Sequence, residues 1–162
     1  MLKTRIYDRY EAVEYALRYA IIPNPAYYDF SAIGGDCTNF VSQCLYAGCK
    51  VMNYSPNGWY YNNINSRSPS WTSVEALYRF LTTNNSVGPR GYDVNMKEAQ
   101  IGDIIQLGDS KTHFYHSLFV TEIKGDDILV CARTQNSKQR SVYTYRLTFS
   151  RTIHINDNVY VY

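Results

Sequence analysis

The segment Gly34-Gly35-Asp36-Cys37-Thr38-Asn39-Phe40-Val41 places a cysteine where an amphipathic helix should begin, after a flexible Gly-Gly approach. A helix N-terminus presents unpaired N–H groups and a positive dipole end. Both favour thiolate over thiol, and the same N–H groups can hold an oxyanion beside the nucleophile. The plain alternative is a small apolar residue opening a helix. A thiol nucleophile needs a base, and the chain has three histidines, His113, His116 and His154. His116 opens a strand-like run, so it can face a cleft while the rest of the strand packs. His113 lies three residues earlier and would point to the other face of a regular strand. His154 lies between Ile153 and Ile155, and alternation turns it away from them. The base needs an orienting group in turn. Folding 127–133 back about Gly125 brings residue 134 opposite His116, which makes Gln135 and Asn136 the nearby amides.

These residues need elements to hold them. Asp8 to Ala20 carries Val13, Ala16, Leu17 and Ala20 at helical spacing, and Pro23 and Pro25 end that run. A loop over 24–36 follows. The second helix starts at Cys37, with Asp36 at the N-cap position and Gly48 as its stop. Residues 53–70 read as a long loop carrying Trp59, Tyr60 and Tyr61. Thr72-x-x-Glu75 is a capping-box pattern before a third helix with Val74, Leu77, Tyr78 and Leu81 inward, and 82–100 returns to loop. Strand patterns then take over at Ile104–Leu107, His116–Ile123, Asp127–Arg133, Ser141–Phe149, Ile153–Ile155 and Val159–Tyr162, with a turn at Lys124-Gly125-Asp126. Helices first and an antiparallel sheet second predict an α+β domain. No repeat or internal boundary shows, so residues 1–162 read as one domain.

Composition sets outer limits. The chain has 162 residues, 45% hydrophobic and 19% charged, with a formal net charge of +2. That excludes disorder and a polycation, and the scattered basic residues argue against nucleic acid. Seventeen tyrosines, against six phenylalanines and two tryptophans, favour strands and wet apolar surfaces. No signal peptide precedes the first helix and no apolar run is long enough to span a membrane, so the chain reads as cytoplasmic as it stands or as a domain of a secreted protein. No Cys-x-x-Cys pair occurs, so no metal site is expected. Cys44, Cys49 and Cys131 read as small buried residues or free thiols.

Gly-Gly-Asp-Cys-Thr-Asn-Phe-Val-Ser-Gln-Cys-Leu at 34–45 resembles the nucleophile segment of the putative amidase domain family. Further pieces agree in order: Trp59, Trp71, Gly102-Asp103-Ile104-Ile105-Gln106, His116-Ser117, and Ala132-Arg133-Thr134-Gln135-Asn136. The family is similar in plan to CHAP and NlpC-type cell-wall hydrolases. The resemblance implies a papain-like fold, with N-terminal helices packed on an antiparallel β-sheet. It implies a cysteine amidase or peptidase with Cys37 as nucleophile, His116 as base and Asn136 as the third residue. No cofactor is implied; the expected partner is a peptide or amide substrate, with peptidoglycan one candidate. The site held here by Arg133 is commonly histidine in the family. Arginine cannot act as a base, and the change reads as altering substrate contacts. Trp59, Tyr60 and Tyr115 are the candidates for substrate contact. Two other uses fit the same residues: a binding module without turnover, and acyl transfer to an amine.

Overall fold

The computed structural model describes residues 1–162. In chain order it contains β1 (Lys3–Ile6), α1 (Arg9–Tyr19), α2 (Cys37–Cys49), β2 (Tyr61–Asn63), β3 (Ser66–Arg67), α3 (Pro69–Thr72), α4 (Val74–Thr83), β4 (Gly91–Val94), β5 (Ile104–Ser110), β6 (His113–Lys124), β7 (Asp127–Ala132), β8 (Ser137–Ser141), β9 (Phe149–Ile155) and β10 (Asn158–Val161). The fold is α+β. Six strands form one antiparallel sheet in the order β4-β9-β5-β6-β7-β8. β1 pairs with β10, and β2 with β3.

Strand alternation divides the core into two. On one face Ile104, Phe119, Cys131 and Ile153 pack under α1, α2 and α4, together with Phe40, Leu45, Trp71 and Leu77. On the other face Ile105, Leu107, Leu118, Val120 and Val130 are covered by Val142, Tyr145 and Leu147 from the β8–β9 connection. The helix α2 is buried almost all round. Its polar residues therefore need partners inside the protein. The Asn39 side chain accepts from Trp71 Nε1 at 2.9 Å and donates to Tyr28 O at 2.9 Å. The Ser42 hydroxyl donates to Trp71 O at 2.9 Å and accepts from Trp59 Nε1 at 3.1 Å. Thr38 Oγ1 and Ser117 Oγ are hydrogen-bonded at 3.1 Å, which seats the helix on β6.

Several local expectations shift. The Thr72 capping box is displaced by one residue: Thr72 belongs to α3, and Ser73 caps α4 by accepting from Ala76 N. The 141–149 run is not one strand. It divides into β8, a 3-10 turn at Val142–Thr144 and the start of β9, because Val142, Tyr145 and Leu147 must fold over the second core. Strands β1 and β4 arise from sequences without clean alternation. Gly48 does not end α2; the helix ends at Lys50, which adopts the left-handed conformation. Glycine is required at 48 by packing, since a Cβ there would stand 2.5 Å from Tyr7 Cε1 and 2.8 Å from Asp8 O. Gly48→Ala should therefore destabilise the protein by about 1–3 kcal/mol in chemical denaturation, with unchanged denaturant slope. Stability equal to the parent would show that Tyr7 can move aside.

Candidate active site

The site is made where β7 leaves the sheet. Pairing between β6 and β7 begins at Phe119–Cys131, and β7 ends at Ala132. Ser117 and His116 thus have β5 on one side, paired with Gln106 and Leu107, and no β7 residue on the other. The N-terminus of α2 fills that gap. The Ser117 backbone lies near the Cys37 thiol and favours its charged form. Thr38 Oγ1 stands 3.7 Å from Cys37 Sγ. Cys37 and His116 line one cavity of about 420 Å³. Gly34, Gly35, Thr134 and Gln135 line it too, as do Arg140, Thr144, Tyr145 and Arg146.

The approach to Cys37 is fixed by charge. Asp36 is buried and does not cap α2. Its Oδ1 accepts from Phe30 N at 2.9 Å and Asn39 Nδ2 at 2.8 Å, and its Oδ2 accepts from Arg133 Nε at 2.7 Å. Arg133 also donates to the carbonyls of Ala20 and Ile21, each at 3.3 Å, and pairs with Asp29 at 3.4 Å. The Asp36 N–H donates to Thr134 Oγ1 at 2.8 Å. Gly34 and Gly35 both have φ near +100°, a conformation that side-chain-bearing residues rarely adopt. With Asp36 turned aside, the N–H groups of Cys37, Thr38 and Asn39 have no backbone or side-chain oxygen acceptor. Of these three residues, Cys37 lines the cavity.

Burial is the largest influence on both groups. It pushes the Cys37 thiol above its ordinary value, against the opposing influence of Ser117 and Thr38. It pulls His116 down to about 4, with a further contribution from Arg140. At neutral pH the free protein therefore holds a thiol and a neutral imidazole, not a preformed ion pair. No hydrogen bond joins them, and no acceptor orients the imidazole. Its nearest aromatic neighbour is Tyr145, with ring centroids 6.2 Å apart. The Tyr145 hydroxyl is buried without a partner.

The other expected residues divide. Tyr115 lines the cavity and is half exposed. Trp59 does not line it: the indole is fully buried, 4.6 Å from Trp71, and its N–H is used by Ser42. Tyr60 stacks on Tyr54 at 5.0 Å, beside a different depression. Asn136 is turned away from the cavity, its Nδ2 donating to Ile21 O at 3.3 Å, and Gln135 takes the place on the wall. Arg133 is buried behind the loop that leads into Cys37 and does not line the cavity. His154 and His113 are engaged elsewhere, with Asp103 at 3.0 Å and Asp109 at 2.9 Å. All four cysteines are free and buried. Arg140 in β8, Thr144 in the 3-10 turn and Arg146 just after it also line the cavity, and the alternation read over 141–149 carried no signal for them.

Residues 6–156 match the family described as the putative amidase domain. The chain belongs to that family. The uncharacterized protein YhbB of Bacillus subtilis (strain 168) is 39% identical over 142 residues, covering 83% of this chain and 43% of YhbB. The amidase domain thus spans less than half of that relative's length. No solved structure matches it.

The low value of His116 gives a stability test. The unfolded chain takes up this proton near 6.5 and the folded amidase domain only near 4. Unfolding is therefore favoured as pH falls through that window, and the effect is complete below about 4. Between pH 7 and 4.5 the parent should lose about 2 kcal/mol more stability than His116→Gln, reduced somewhat by solvent at the cleft mouth. Parallel pH dependences in denaturant titrations would show that His116 titrates normally.

Proposed function

We propose that this amidase domain is a cysteine-dependent amide hydrolase with a papain-like active-site plan. The supporting observation is that Cys37, at an uncapped helix N-terminus, and His116, on the strand beside it, line one cavity. In the proposed reaction a substrate carbonyl enters between them. The Cys37 proton passes to the neutral His116 imidazole as sulfur bonds to the carbonyl carbon. The carbonyl electrons move to oxygen, and the N–H groups at the start of α2 stabilise that oxyanion. The C–N bond breaks as the imidazolium gives its proton to the leaving amine. Water then attacks the thioester, His116 takes its proton, and the acid product and free thiol are released. Gln135 borders this cavity, and Asn136 secures the loop behind it. A bacterial cell-wall peptide is the first substrate to test, since the relative is bacterial.

One observation favours the binding-module reading: His116 lacks the hydrogen-bonded acceptor that usually fixes a catalytic imidazole. Turnover separates the two. With peptide amides, Cys37→Ala should abolish hydrolysis, His116→Gln should lower it by about 10²–10⁴-fold, and Asn136→Ala should stay near the parent. Iodoacetamide should modify Cys37 before Cys44, Cys49 or Cys131 in the folded protein. Hydrolysis that survives Cys37→Ala, or uniform labelling of all four thiols, would overturn the assignment.

A further inference from the structure

The cavity is lined by two arginines and by no aspartate or glutamate. Interior arginines elsewhere are paired: Arg9 with Asp103 at 2.9 Å, Arg133 with Asp36 at 2.7 Å, and Arg151 with Glu75 at 3.3 Å. Arg140 and Arg146 have no carboxylate partner. Arg140 is nonetheless held in place. Its Nε donates to Thr144 Oγ1 at 2.6 Å, its Nη2 donates to Thr144 O at 3.1 Å, and the guanidinium lies 3.8 Å from the Tyr145 ring centroid. Those contacts fix the plane of the group and leave Nη1 without an acceptor. Arg146 makes no hydrogen bond within the protein. A fixed, half-buried guanidinium beside a second free one is suited to bidentate recognition of a carboxylate. Arg140 lines the same cavity as Cys37 and His116.

We propose that Arg140 and Arg146 form an anion subsite that selects amide substrates bearing a carboxylate next to the scissile bond. The inference rests on the hydrolase reading for the word substrate, and the test separates the two. Binding to the Cys37→Ser protein is measured by calorimetry for three probes. The first is acetylated alanyl-glutamyl-alanine amide, and the second is its glutamine analogue. The third is the glutamine peptide with a free C-terminal carboxylate. At low ionic strength one of the two carboxylate peptides should bind about tenfold tighter than the neutral one, and which of them does so identifies the source of the anion. Arg140→Gln with Arg146→Gln should remove that preference while leaving the neutral peptide's affinity unchanged, and added salt should weaken it. Equal binding of all three, a preference that survives both substitutions, or no binding in the millimolar range would overturn the subsite. If the preference appears but the parent protein cleaves none of the peptides, the subsite stands and the hydrolase reading fails.

Discussion

A buried ion pair between Arg133 and Asp36 ties the start of α2 to the end of β7, and the rest of the site depends on it. Both side chains are almost wholly removed from water, and the N···O distance is 2.7 Å. Losing one partner of such a pair leaves an uncompensated charge, at a cost of about 3–5 kcal/mol. The pair therefore specifies position strongly, whatever its net contribution to stability. It fixes three things together: the loop ahead of Cys37, the last carbonyls around Ala20 and Ile21, and the point at which β7 turns out of the sheet. The gap so created beside Ser117 receives the thiol.

The same pair decides the electrostatics. Asp36 stands where an N-cap would normally satisfy the first turn, yet its carboxylate is drawn to Arg133, Asn39 and Phe30. The first N–H groups of α2 stay unpaired as a result. A free helix terminus would by itself lower a thiol's pKa, but the thiol is buried and burial dominates. His116 is shifted by burial in the direction that keeps it neutral. Burial thus favours the uncharged form of both groups.

Where side-chain spacing alone determines an element, the sequence is legible. The helix over 9–19, the helix from Cys37 and the β6–β7 hairpin about Gly125 follow from periodicity and turn chemistry. That Cys37 and His116 line one cavity follows from helix start and strand start, which are local properties. Asn136, Trp59 and Tyr60 do not line that cavity, since their environments are set by distant partners. Ile21 takes the Asn136 amide, Ser42 and Trp71 take the Trp59 indole, and Tyr54 takes the Tyr60 ring. The identity of residue 133 suggested substrate contact, when its partner Asp36 lies 97 positions away and buried. The surplus of tyrosine divides in the same manner: Tyr61 and Tyr7 support the core, while Tyr115 and Tyr145 border the cavity.

The central claim is that Cys37 forms a covalent acyl intermediate which His116 resolves. Intact-mass analysis after rapid quenching with an activated acyl ester tests it directly. The account predicts one acyl adduct per chain, mapped to the peptide containing Cys37, which decays in the parent protein and persists in His116→Gln. An adduct on Cys44, Cys49 or Cys131, or steady turnover with no adduct at any time, would contradict it.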